Sequence, residues 1–151
     1  MADAATASYR FNHTMIRIKD PEKSIEFYTK VLGMDVIDEH DAGDFKLFFL
    51  AYNLPGQKGL PRGEREGILE LTWNKGTEKD PNFKYHNGND EPQGFGHTCI
   101  SVDNLEKAVA RFDSMGVKFK KRPEDGKMKS IAFVYDPDMY WIEIISHNKP
   151  Q

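Results

Sequence analysis

The chain has 151 residues, one cysteine and a formal net charge of −3, with acidic and basic residues interspersed. That length suits one domain or two half-domains of like design, and that charge leaves no electrostatic footprint for nucleic acid or a membrane surface. A single cysteine excludes an internal disulfide framework and fits a reducing, cytoplasmic setting. The longest apolar stretch, Leu47 to Tyr52, is far too short to span a bilayer, and Met1 to Ser8 lacks the basic and apolar regions of a signal peptide.

Residues 1–9 read as a flexible start. Arg10 to Lys19 then sets Phe11, His13, Met15 and Arg17 on one face and Thr14, Ile16 and Ile18 on the other, the period of a strand. Asp20 is placed to cap a helix with Pro21 at its first position; Ile25, Tyr28 and Leu32 supply a buried stripe, and Gly33 ends it. Strands follow at about Met34 to His40, Phe45 to Tyr52 and Gly67 to Trp73, separated by an Asp/Gly turn and a longer Pro/Gly-rich loop, so residues 10–73 form a βαβββ module. Residues 74–93, dense in Gly, Asn, Asp and Pro, make a long connecting loop without an element of their own.

From Gly94 the order repeats through residue 148. A strand runs to Val102, and an Asn104-capped helix sets Leu105, Ala108, Val109, Phe112 and Met115 on one face before Gly116. Strands near Val117 to Lys121, Lys129 to Tyr135 and Tyr140 to Ser146 complete the second module, residues 149–151 form a tail, and Asp136-Pro137-Asp138-Met139 is the last hairpin turn. The fold class is α+β, with two paired βαβββ modules per chain.

One pattern is written into both modules. At a shift of 84 residues His13-Thr14-Met15-Ile16 falls on His97-Thr98-Cys99-Ile100, and Asp20-Pro21-Glu22-Lys23-Ser24 falls on Asn104-Leu105-Glu106-Lys107-Ala108. Glu70 and Glu143 each sit alone in an apolar, strand-forming run. A lone charge there is costly unless it is paired or ligated. Two imidazoles and two carboxylates at matched places suit one divalent cation, and mixed N/O donors fit Zn, Ni, Co or Mn better than Ca or Mg.

Singly, either histidine would read as a satisfied strand residue and either glutamate as a solvent-facing charge; the repeat reverses both readings. His40, His86 and His147 have no counterpart in the repeat and read as surface or loop residues. Cys99, on the face of His97, reads as a buried inert thiol. The Lys118-Phe119-Lys120-Lys121-Arg122 cluster reads as a solvated strand end.

With these motifs placed, the chain closely resembles the glyoxalase I (lactoylglutathione lyase) family of the vicinal-oxygen-chelate superfamily from about Phe11 to Asn148. The blocks that carry the likeness include His13-Thr14-Met15-Ile16-Arg17-Ile18-Lys19-Asp20-Pro21, Phe27-Tyr28-Thr29-Lys30-Val31-Leu32-Gly33-Met34 and Leu69-Glu70-Leu71-Thr72. Others are Tyr85-His86-Asn87-Gly88-Asn89, Gly94-Phe95-Gly96-His97, Asp125-Gly126-Lys127-Met128-Lys129 and Tyr140-Trp141-Ile142-Glu143-Ile144. The resemblance implies a homodimer with two active sites, in which His13, Glu70, His97 and Glu143 hold one divalent metal and water fills the remaining positions. His13 and Glu70 of one chain would face His97 and Glu143 of the other, although some relatives join the same modules within a single chain. Insertions around Asn53 to Glu66 and Asn74 to Gln93 match the long members, which favours zinc, with nickel or cobalt possible.

The resemblance also implies glutathione as cosubstrate and the hemithioacetal of glutathione and methylglyoxal as substrate. An internal proton shift through an enediolate would give S-lactoylglutathione and so detoxify methylglyoxal. A carboxylate with a pKa of about 4.3 is a weak base for a carbon acid, so the metal has to stabilise the enediolate while the protein excludes water. By the same carry-over Glu143 is the main proton-shuttling base, and Glu70 has the mirror role on the other epimer. Arg17 and Asn74 would bind the γ-glutamyl end, and Lys121 and Lys127 would serve the glycyl carboxylate and lid. Met128, Trp141, Leu47 and Phe49 would line an apolar pocket.

Three places depart from the family pattern. Gln93 stands where an arginine is common, which removes one charge-assisted contact to a glutathione carboxylate. The Asp41 to Asp44 loop is short and lacks a pocket aromatic near Ala42. Met139 stands where glycine is common, and because a methionine at positive φ is strained, a different turn is expected. The same fold also hosts ring-cleaving dioxygenases and metal-free drug-sequestering proteins. A fourth protein ligand argues against a dioxygenase, which uses two histidines and one carboxylate on iron. A sequestering protein has no reason to keep Glu70 and Glu143 in apolar strands.

Overall fold

A computed structural model describes residues 3–147, and the chain divides into two compact units, Met1–Phe83 and Lys84–Gln151. In the first unit β1 (His13–Ile18) leads to α1 (Pro21–Glu26), β2 (Asp35–Asp41), β3 (Phe45–Ala51) and β4 (Ile68–Asn74). The sheet order is β1-β4-β3-β2, with β1 parallel to β4 and the other pairs antiparallel. The second unit repeats this with β5 (His97–Val102), α2 (Leu105–Ser114), β6 (Phe119–Lys121), β7 (Ile131–Tyr135) and β8 (Trp141–Ser146), in the order β5-β8-β7-β6 with β5 parallel to β8. The α+β class and the two βαβββ modules expected from the sequence are the observed architecture. Asn148 and the tail at 149–151 lie outside the described residues.

Strand alternation separates two faces in each unit. Ile16, Ile18, Phe48, Leu50, Leu69 and Leu71 are buried with Tyr28, and Ala132, Val134, Ile142 and Ile144 are buried with Phe112. Removing this apolar surface from water is the main stabilising term, at roughly 1.5–3 kcal/mol for each fully buried large side chain. The residues between them, His13, Met15 and Arg17 in β1 and His97, Cys99 and Ser101 in β5, are exposed.

Several boundaries differ from the sequence reading. Both first strands start later than expected, at His13 and His97, because each parallel ladder begins there, opposite Ile68 and Trp141. The first helix changes character partway. Asp20 caps it by accepting from the amides of Glu22 and Lys23, but Phe27–Val31 is a π-helical turn. There the Thr29 hydroxyl donates to the Ile25 carbonyl at 2.7 Å, the acceptor an α-helix would reserve for the Thr29 amide. Met115, expected on the buried stripe, is exposed because α2 ends at Ser114.

The connecting segment is tied down more than its composition suggests. It contains a 3-10 turn at Thr77–Lys79, and the Trp73 indole donates to Glu78 at 2.9 Å. Beyond it, Asn87 donates to the Met139 carbonyl at 3.1 Å and Asn89 to the Gly96 carbonyl at 2.7 Å. Gly88, at φ +86°, lies so close to the Phe95 carbonyl that a Cβ would overlap it. The turn at Met139 keeps the left-handed geometry that the sequence argued against, with φ +68°. Buried Asp136 holds it there by accepting from the amides of Asp138 and Tyr140 at 2.9 and 2.8 Å.

Met139→Gly is therefore expected to raise stability by about 1 kcal/mol, the order of the left-handed penalty. Gly88→Ala should lower it by at least about 2 kcal/mol, through the same penalty plus the overlap. Urea unfolding of the two variants checks both, and a Gly88→Ala protein as stable as the parent contradicts the close approach.

Candidate metal centre

The register of the parallel strands brings the repeated histidine and glutamate together. Met15 pairs with Glu70 and Cys99 with Glu143, so each histidine stands two residues before its glutamate's partner and on the same face. His13 Nε2 lies 3.2 Å from Glu70 Oε2, and His97 Nε2 lies 3.3 Å from Glu143 Oε2. The imidazoles are about two-fifths exposed, at 42% and 40%, whereas the carboxylates are recessed, at 13% and 21%. Glu70 also accepts from the Thr72 hydroxyl at 3.4 Å.

A third strand completes each arrangement. Phe49 pairs with Glu70 and Phe133 with Glu143, and their rings meet His13 and His97 edge to face at 6.2 and 5.2 Å. Sequence reasoning named Phe49 and missed Phe133, although the 84-residue shift that relates the histidines also relates these two phenylalanines. Arg62 was missed too. Its guanidinium lies 3.8 Å from the Phe49 ring centre and pairs with Asp38 at 3.2 Å.

The donor chemistry fits a divalent cation. Two ligands bonded to one ion at about 2.0–2.2 Å stand roughly 3.0–3.6 Å apart, and both nitrogen–oxygen pairs have that spacing. A neutral imidazole lone pair aimed at a carboxylate oxygen is unfavourable unless a cation or a proton stands between them. Each unit by itself supplies one imidazole and one carboxylate. Among the described residues no group of three or more His, Cys, Asp or Glu comes together.

The other candidate residues divide between the units. In the first, Arg17 and Leu47 pair with Thr72 and Phe45 pairs with Asn74, which sets Arg17, Leu47, Phe49 and Asn74 on the face that carries His13 and Glu70. In the second, Trp141 packs on Phe133 at 6.0 Å between ring centres, and Lys120 lies 4.8 Å over the Trp141 ring. Lys121 donates to the carbonyls of Arg122, Met128 and Ile131 at 3.0, 2.7 and 3.3 Å, and so closes the loop that exposes Lys127 and Met128. His40, His86 and His147 are exposed, and His86 Nδ1 accepts from the Gly88 amide at 2.9 Å.

Cys99, expected to be buried, is exposed, because it shares the open face of β5 with His97. Partial burial of the thiol raises its pKa to about 11, and the Glu143 carboxylate adds to the shift by its charge and by hydrogen bonding.

Comparison with known proteins places these features in context. Residues 10–144 match the family described as the glyoxalase/bleomycin resistance protein/dioxygenase superfamily. The lactoylglutathione lyase of Schizosaccharomyces pombe is 55% identical over 145 residues, covering 94% of this chain and 46% of that protein, so this chain spans about half its length. The lactoylglutathione lyase of Pseudomonas putida is 47% identical over 158 residues, covering 95% of this chain and 88% of that protein. The structure of the trypanothione-dependent glyoxalase I of Leishmania major matches with a TM-score of 0.71 at 34% identity, over 92% of this chain and 87% of that one.

The Cys99 shift carries a test. A raised thiol pKa leaves less thiolate at neutral pH, so metal-free protein should be alkylated by iodoacetamide at pH 8 about 100-fold more slowly than a thiol of ordinary pKa. The rate should climb only as the pH nears 11. A rate already at its plateau by pH 9 contradicts the raised pKa that burial and Glu143 together impose.

Proposed function

The chain belongs to the glyoxalase/bleomycin resistance protein/dioxygenase superfamily, and from that premise we propose that it is a lactoylglutathione lyase. It would isomerise the hemithioacetal of glutathione and methylglyoxal to S-lactoylglutathione. The observation that carries this reading is the pair of histidine–glutamate half-sites, at the same register and nearly the same spacing in both units. The names of relatives that align over nearly the whole chain support it.

On this reading His13, Glu70, His97 and Glu143 hold one divalent cation per site, zinc in preference to nickel or cobalt. When bound, the cation supplies Lewis-acid stabilisation of the negative charge that develops on the substrate oxygens. The chain's own residues move the proton. Glu143 takes it from C1 of the hemithioacetal and returns it to C2, and Glu70 does the same for the other epimer. The assignment of the main role to Glu143 follows the family resemblance; both carboxylates have a hydrogen-bonding neighbour, Thr72 at Glu70 and Cys99 at Glu143, and Glu143 is the less enclosed of the two.

Arg17 and Asn74 bind the γ-glutamyl end from the open face of the first unit. Lys127 meets the glycyl carboxylate, while Lys121 braces the loop that carries it. Leu47, Phe49, Trp141 and Met128 give the reacting end an apolar wall that keeps water from the intermediate. Because each unit carries two donors, a complete site needs a second half, and a C₂ homodimer supplies it symmetrically. A cytoplasmic location accords with the single cysteine. Among the described residues no helix is long and apolar enough to cross a membrane.

Ultraviolet absorbance tests the reading: methylglyoxal and glutathione should yield thioester with the protein and none after chelation. Glu143→Gln is expected to retain metal but lose about 100-fold or more in turnover, since an amide can ligate but cannot accept the carbon proton. Glu70→Gln should lose less. Near-normal turnover in metal-replete Glu143→Gln contradicts the assignment of the base.

A further inference from the structure

His13 has a neighbour to which the scheme above gives no role. Asn12 is held from three directions within its own unit. Its carbonyl accepts the Ile68 amide at 3.1 Å, and its side-chain nitrogen donates to the carbonyls of Arg62 and Arg65 at 2.8 and 2.9 Å. Those two acceptors decide which end of the side chain is nitrogen, because a flipped amide would set its oxygen against two carbonyl oxygens. Asn12 Oδ1 therefore faces His13 Nδ1, 2.8 Å away. An amide oxygen can only accept, so Nδ1–H is the donor. In the neutral ring the lone pair is then on Nε2, the atom that lies 3.2 Å from Glu70 Oε2.

The carbonyls that hold Asn12 belong to the loop between β3 and β4. Arg65 is only 4% exposed, and its guanidinium donates to the Tyr52 carbonyl and to Asn53 Oδ1 at 3.3 and 2.7 Å, which fastens the loop to the end of β3. Arg62 reaches His13 by a second route, since its guanidinium covers Phe49, and Phe49 meets the imidazole edge to face. Among the described residues the second unit has no such device. The 84-residue shift puts Gly96 in the place of Asn12, and a tight turn ending at Met139 stands in place of the loop.

We propose that Asn12 is a positioning residue that fixes His13 as the Nδ1–H tautomer and ties that state to the loop at residues 61–67, so that the first half-site is pre-organised for a divalent cation and the second is not. The proposal rests on the metal reading above. A histidine that donates its other ring N–H to a fixed acceptor is the usual form of a metal ligand, and loss of such a partner typically weakens binding by about 10- to 100-fold.

Nitrogen-15 NMR of the imidazoles tests this in metal-free protein at about pH 9, where an ordinary imidazole is neutral, with zinc as the probe ion. In the parent, His13 should show a protonated Nδ1 and an unprotonated Nε2. Asn12→Ala should convert His13 to a mixture of tautomers, leave the His97 pattern unchanged, and weaken zinc binding by about 10- to 100-fold in chelator competition. Asn12→Asp restores an acceptor and should return the Nδ1–H tautomer, even though it loses both loop contacts. The parental tautomer in Asn12→Ala overturns the proposal, as does an Asn12→Asp protein that behaves like Asn12→Ala. If zinc leaves the parent's His13 Nε2 resonance unmoved, the metal reading falls and takes this proposal with it. That outcome is recognised in the parent alone, whereas failure of the tautomer argument shows only in the variants.

Discussion

Parallel pairing of the first and last strands within each unit is the constraint on which the site depends. Antiparallel neighbours can be joined by a tight turn, but a parallel pair needs a crossover, and here α1, β2 and β3 occupy the interval between β1 and β4. That crossover lets residues far apart in sequence share one register. Pairing of Met15 with Glu70, and of Cys99 with Glu143, then sets an imidazole diagonal to a carboxylate on the open face. A slip of one residue would turn either glutamate into the apolar core, where an unpaired charge is strongly disfavoured. The apolar rows on the opposite face, buried Ile16 with Leu71 and half-buried Ile100 with buried Ile144, hold the register that the site requires.

The repeat was legible because its signals are local. Alternation marks the strands, Asp20 and Asn104 mark the helix starts, and isolated glutamates in apolar runs stand out by their cost. What stayed hidden depends on contacts between distant segments. The π-helical turn at Phe27–Val31 goes with the Thr29 hydroxyl taking one carbonyl, a choice that composition alone does not reveal. From the family resemblance Lys121 is expected to serve the glycyl carboxylate and lid, and its ammonium is engaged by three loop carbonyls. Met139 shows the converse. The strain was foreseen correctly and the outcome was not, because buried Asp136 anchors the turn through two amides. Phe133 alone could have been found by extending the 84-residue shift one strand further.

The two sheets share one strand order but have unequal surroundings. The first unit frames its half-site with a loop pinned by Arg65 and Asn12, whereas the second uses glycine and a tight turn at the matching places. Cys99 occupies the register position that Met15 fills in the first unit, which puts a hydrogen-bond donor beside Glu143 and a thioether beside Glu70. The two carboxylates therefore differ in enclosure and in partners although the strands around them are alike. Such inequality is a physical basis for giving them different shares of one proton transfer.

The central claim is that each unit carries half a site, completed by the other kind of half from a second chain. Mixing two inactive proteins tests it most directly, one chain bearing His13→Ala with Glu70→Gln and the other His97→Ala with Glu143→Gln. A heterodimer would join the intact halves into one working site and the damaged halves into another, so thioester formation should reappear on mixing. Verified heterodimers that remain inactive would contradict the account and show that each site is built within a single chain.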